Sequence, residues 1–172
     1  CSTVPGAKWK PPGGNALGTC ISEEIFAPRI NASAPVLIEG TNAGGSTHYT
    51  KGMYTAWHCA ATEATSAHFD GPERVYFLYQ PAASEIQLSF GKECSRNLEM
   101  RVLRHAESDT CASENNNLIF CERDASSGTS GNQVVKLVAT SNPQFWSIVI
   151  DGRNDTIANY TLEIECLNGT CR

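Results

Sequence analysis

The stretch Phe145 to Cys166, FWSIVIDGRNDTIANYTLEIEC, decides the fold class. In its second half Tyr160, Leu162, Ile164 and Cys166 alternate with Thr161, Glu163 and Glu165, the period-two pattern of a strand with one dry and one wet face. In its first half Trp146, Ile148 and Ile150 share one face while Val149 lies on the other, which predicts a strand covered on both sides. Asp151-Gly152 and the polar residues after it break the pattern and predict a turn, because glycine tolerates positive φ and short polar side chains bond back to the backbone.

Six further segments have the same character: APVLIEG (34 to 40), RVYFLYQ (74 to 80), EIQLSFG (85 to 91), LEMRVLR (98 to 104), NLIFCER (117 to 123) and QVVKLVAT (133 to 140). From residue 74 the strand starts follow one another every eleven to nineteen residues or so, and long helices are not available; a short helix over Ala56 to His68 is the one helical expectation. The pattern predicts an all-β, antiparallel, two-layer sandwich, with ASENNN and DASSGTSGN as loops at its ends, where binding surfaces usually sit. Residues 1–33, rich in proline and glycine at their start, read as an extended arm preceding a domain over 34–172. Within the arm, ISEEIFAPRI (21 to 30) is a strand candidate broken at Pro28, and proline places such a strand at a sheet edge.

The 172 residues suffice for one domain with a substantial core. A net charge of −5 without a Lys/Arg cluster argues against a nucleic-acid surface, and no apolar run is long enough to span a bilayer. Eight cysteines, Cys1, Cys20, Cys59, Cys94, Cys111, Cys121, Cys166 and Cys171, contain no C-x-x-C pair and read as a disulfide set in an oxidising compartment. About a hundred pairings are open; Cys111 with Cys121 and Cys1 with Cys20 are the expected short-range ones. Lipidation of Cys1 is an alternative, but it would leave an odd number of thiols. Four Asn-x-Ser/Thr sequons, at Asn31, Asn154, Asn159 and Asn168, agree with export and predict glycosylation.

The order GPERVYFL (71 to 78), EIQLSFG, LEMRVLR, Cys111, IFCERD (119 to 124), FWSIVIDG and NYTLEIEC resembles the bacterial pre-peptidase C-terminal domain family over about residues 34 to 166. The resemblance implies a jelly-roll sandwich of the kind appended to secreted proteases, with relatives that bind collagen, polysaccharide or calcium. Where many members carry an acidic run after the cysteine, Glu122, Arg123 and Asp124 stand here, so no calcium role is carried over.

No catalytic constellation is present: there is no G-x-S-x-G elbow and no H-E-x-x-H, and His48, His58, His68 and His105 are scattered. Glu163 and Glu165 lie about 7 Å apart on one strand face, a spacing a glycosidase could use but one that ordinarily marks a solvated face. Asp70, Asp109 and Asp124 could meet at one loop end to hold calcium. The expectation is a protein without enzymatic activity, cofactor or metal. It would be an extracellular structural or adhesive glycoprotein in which Ile21, Ile25, Phe26 and Ile30 of the arm add a strand to a neighbouring copy, giving a homo-oligomer or homopolymer. The alternative is a module binding carbohydrate or matrix protein through Trp9, Tyr54, Trp57 or Tyr79, although core packing is the ordinary fate of Trp57 and Tyr79.

Overall fold

Alternation becomes nine strands in a computed structural model, which describes residues 25–26, 35–45, 47, 49, 69–92, 97–105, 120–122 and 133–169. At 25–26, 69–70, 77, 105 and 120–122 only the backbone is described. The strands are β1 (Ile25–Phe26), β2 (Val36–Thr41), β3 (Phe69–Gln80), β4 (Glu85–Lys92), β5 (Leu98–His105), β6 (Phe120–Glu122), β7 (Gln133–Leu137), β8 (Gln144–Arg153) and β9 (Asn159–Asn168). They form a sheet ordered β1-β3-β8-β5-β6 and a second ordered β2-β9-β4-β7. With β1 set aside, these are the two interleaved four-stranded sheets of a jelly roll. Every pairing is antiparallel except the parallel contact of β1 with β3.

The core lies between the sheets. Tyr76, Leu78, Met100, Ile148 and Ile150 from one layer meet Ile86, Leu88, Phe90, Leu162 and Ile164 from the other. Full burial of such a side chain contributes roughly 1.5–3 kcal/mol. Polar side chains close the two ends of the sandwich. At one end Gln80 donates from Nε2 to the carbonyls of Ser84 and Val138 at 2.7 and 3.0 Å and accepts from Trp146 Nε1 at 2.9 Å. At the other, the hydroxyls of Tyr76 and Tyr160 meet at 2.6 Å across the two sheets.

The Phe145–Cys166 stretch is not a hairpin. β8 belongs to the five-stranded sheet and β9 to the four-stranded one, so the segment between them is an arch across the sandwich. The turn also forms later than Asp151-Gly152. Both residues stay in β8, and the chain reverses on Asn154 and Asp155 (φ 49° and 55°), closed by Thr156 N donating to Arg153 O at 3.0 Å. Positive φ at both central residues defines a type I′ turn, which Asn and Asp tolerate. Gly152 is needed for space, since a Cβ there would collide with Thr156 O and stand 2.8 Å from Asn42 Nδ2.

The expectation that β8 is covered on both sides holds: Val149, on the outer face, is fully buried. Of the segments read as strands at 21 to 30 and 117 to 123, the described residues are those of β1 and β6, and β1 draws two arm residues into the sheet. The helix expected over Ala56 to His68 lies outside the described residues.

Candidate functional site

Side chains alternate along β3, β8 and β5, so those not directed into the core form the outer face of the five-stranded sheet. Strand register orders the described side chains of this face into four rows: Glu73, Asp151, Glu99; Val75, Val149, Arg101; Ser147, Leu103; and Tyr79, Phe145. The face changes character from one end to the other.

At the first end it is ionic and dry. Glu73, Asp151, Glu99 and Arg101 are all buried. Arg101 is ion-paired with Glu99, whose other oxygen lies 2.7 Å from Arg153 Nε. Tyr49 lies over this end, its backbone N donating to Glu73 Oε1 at 3.2 Å. Burial, and then the Glu73 charge, hold the Tyr49 hydroxyl far above the usual tyrosine range. Such a cluster fixes strand register by bringing these charged side chains together in one row.

At the far end the face is aromatic and wet. Tyr79 is 49% exposed, and its ring centroid sits 5.2 Å from that of Phe145 at a tilt of 49°. Core packing, the ordinary expectation for Tyr79, is therefore overturned: Leu78 and Gln80 take the inward positions, and Tyr79 points outward at the uncovered end of the sheet.

The lateral edge of β3 is the second notable feature. β3 is 12 residues long and bonds β8 along one side. On its other side only Ile25 and Phe26 pair with it among the described residues, opposite Tyr76 and Phe77. Two members of the expected assembly segment thus occupy a sheet edge of their own chain, and Ile21 and Ile30 lie outside the described residues.

The remaining sequence-derived candidates are dispersed. Asn154, Asn159 and Asn168 are exposed, the first in the arch and the other two at opposite ends of β9, while Asn31 lies outside the described residues. Cys166 is disulfide-bonded, and the other cysteines are outside the described side chains. Glu163 and Glu165 face outward on β9, opposite Ser89 and Gln87 of β4, and Glu163 lies opposite Leu37 of β2. Asp70, His105 and Cys121 are described in backbone only. His48, His58, His68, Asp109, Asp124, Trp9, Tyr54 and Trp57 lie outside the described residues. Among the described residues, no group of three or more His, Cys, Asp or Glu is placed to hold a metal ion, and no helix is long and apolar enough to cross a membrane.

The buried tyrosine pair sets an alkaline limit. Burial raises Tyr160, with the neighbouring Tyr76 adding to the effect; burial likewise raises Tyr76, against smaller opposing contributions from the Tyr160 hydrogen bond and Arg74. Unfolded tyrosines ionise near 10.0, whereas the folded pair keeps its protons to higher pH. Their contribution is therefore complete below pH 10 and is lost as the pH rises above it. Each tyrosine steepens the fall by at most about 1.4 kcal/mol per pH unit. Denaturant titrations at several alkaline pH values are expected to show stability dropping above pH 10, less steeply in Tyr160→Phe. Equal slopes in the two proteins would contradict this.

No family model matches the chain, and no curated protein does. Three solved structures are similar in fold. The pre-peptidase C-terminal domain of collagenase from Bacillus anthracis is 15% identical (TM-score 0.43), covering 83% of this chain and 92% of that one. PliG, a periplasmic inhibitor of g-type lysozyme from Aeromonas hydrophila, is 9% identical (TM-score 0.43; 84% and 97%). CorA, a surface-associated copper-binding protein of Methylomicrobium album BG8, is 7% identical (TM-score 0.48; 84% and 98%). These likenesses are of fold alone.

Proposed function

We propose that this protein is a non-enzymatic extracellular or cell-surface subunit, structural or adhesive, and that copies join by strand addition at the β3 edge. The observation that carries the reading is the pairing of Ile25–Phe26 with Tyr76 and Phe77 on an edge otherwise open among the described residues. An extended edge is a template for another chain, and main-chain bonds made by a segment of the same molecule can equally be made by that segment of a neighbour. Exchange of this kind is head-to-tail, so it can propagate into a filament. Three exposed sequon asparagines and a disulfide at Cys166 support an exported protein.

The test is the size distribution of the full chain, by analytical ultracentrifugation and electron microscopy, beside a full-length Ile25→Asp/Phe26→Asp variant. Polymers are expected from the first and monomers from the second, because aspartate is disfavoured in strands and two added charges oppose edge pairing. A full chain that stays monomeric at high concentration overturns the reading.

The exposed Tyr79–Phe145 pair favours a second reading, a module that binds carbohydrate or matrix protein, since aromatic rings stack on sugar faces. Binding on a glycan or matrix-protein array that disappears in Tyr79→Ala would establish it; unaffected binding would remove it.

A further inference from the structure

We propose that Asn168–Gly169 is a self-modifying site, at which a side-chain amide that carries no glycan cyclises and opens to aspartate or isoaspartate. Asn168 is exposed at the last position of β9, and Gly169 N donates to Asn168 Oδ1 at 2.9 Å. The nucleophile and the carboxamide it attacks are thus already in contact, and a rotation about Cβ–Cγ presents the carbonyl carbon. Gly169 has φ 85°, and a Cβ on it would collide with Ala83 O, so glycine is held at the one following position that offers the attacking nitrogen no steric shield.

In the reaction the Gly169 amide gives up its proton, its nitrogen bonds to Asn168 Cγ, and the Cγ–Nδ2 bond breaks with loss of ammonia. Water then opens the five-membered imide at either carbonyl, giving aspartate or, with the chain rerouted through the side chain, isoaspartate. Either product places a carboxylate opposite Glu85, the register partner of Asn168, and like charges directly opposed loosen a ladder. The modification therefore frays the end of the β4–β9 pairing, two residues beyond the disulfide-bonded Cys166. A glycan on Asn168 would occupy the same Nδ2 and block the departure of ammonia. Only this glycan arm rests on the extracellular reading; the cyclisation does not.

The experiment compares the full chain from a host that forms disulfides without N-glycans with the chain from a glycosylating host. Both are incubated in mildly alkaline buffer and peptide-mapped with fragmentation that separates aspartate from isoaspartate. Enzymatic deglycosylation is avoided because it makes aspartate itself. Progressive conversion at Asn168, as two isomers, is expected in the unglycosylated chain, with none at Asn154 or Asn159, where Asp155 and Tyr160 crowd the nitrogen. Glycan-occupied chains are expected to stay intact and Thr170→Ala from the same host to convert. Conversion in a chain whose sequon stays empty in the glycosylating host supports the cyclisation while counting against export. Retention of the amide while a synthetic peptide of the same sequence converts overturns the proposal, as does equal conversion at all three asparagines.

Discussion

Replacing Asn42 by alanine is expected to lower the unfolding free energy by about 3 kcal/mol or more, a large share of the stability of any domain of this size. Asn42 is fully buried just beyond β2. Its Nδ2 donates to the carbonyls of Pro72 and Thr156 at 2.7 and 2.8 Å, and its Oδ1 accepts from Ala158 N at 2.9 Å. One side chain thus ties the end of β2, the start of β3 and the β8–β9 arch. Alanine would leave two part-buried carbonyls and one buried N–H without those bonds, the buried group alone worth roughly 1–3 kcal/mol, with a cavity besides. Asn42→Asp is expected to be no better, because it retains the acceptor but turns a carboxylate oxygen toward two carbonyls. Urea denaturation followed by tryptophan fluorescence measures both, with the exposed Glu39→Ala expected to stay within about 0.5 kcal/mol of the parent. A loss below about 1 kcal/mol for Asn42→Ala would mean that water replaces the side chain and that the arch is not anchored there.

Asn42 also marks where sequence reasoning stops. In TNAGGST it looks like any polar loop residue, and its role depends on residues 30 and more than 110 positions away. The same limit hid the row Glu73, Asp151, Glu99, which exists only through the register of three strands far apart in sequence. By contrast, the dry face of β9 and the two-sided burial of β8 were legible, because alternation is a local property that burial rewards directly. The displaced arch turn has a mixed origin: Asp151-Gly152 is a sound local turn signal, yet the glycine serves close packing beneath Asn42, and Asn154–Asp155 takes the positive-φ positions. Pro28 correctly suggested an edge strand, but nothing local specifies that β1 runs parallel to β3. For Tyr79 the expectation of core packing failed, because an aromatic residue in a strand-length apolar run carries no local sign that its end of the outer face stays open to water.

Arg101→Met is expected to cost about 3–5 kcal/mol, and Glu99→Leu distinctly less. Desolvation is the reason for the size of the effect, and the composition of the row is the reason for the asymmetry. Arg101 is 1% exposed and ion-paired with Glu99, one of three buried carboxylates whose strands lie side by side about 5 Å apart. Removing the guanidinium takes a buried positive charge from Glu99 and leaves the row more negative, in a medium that screens like charges poorly. Removing Glu99 reduces the crowding of negative charge, and Arg153, a quarter exposed, can turn to water. The double variant Glu99→Leu/Arg101→Met is expected to lie nearer the parent than Arg101→Met does, since replacing both members of a buried pair by apolar groups restores packing without stranding a charge. Denaturation of the four proteins at low and high salt closes the cycle. Buried charges are shielded little by added ions, so the coupling should survive. A coupling that vanishes in salt would place the cluster in water, and the outer face at that end would then be an open ionic surface.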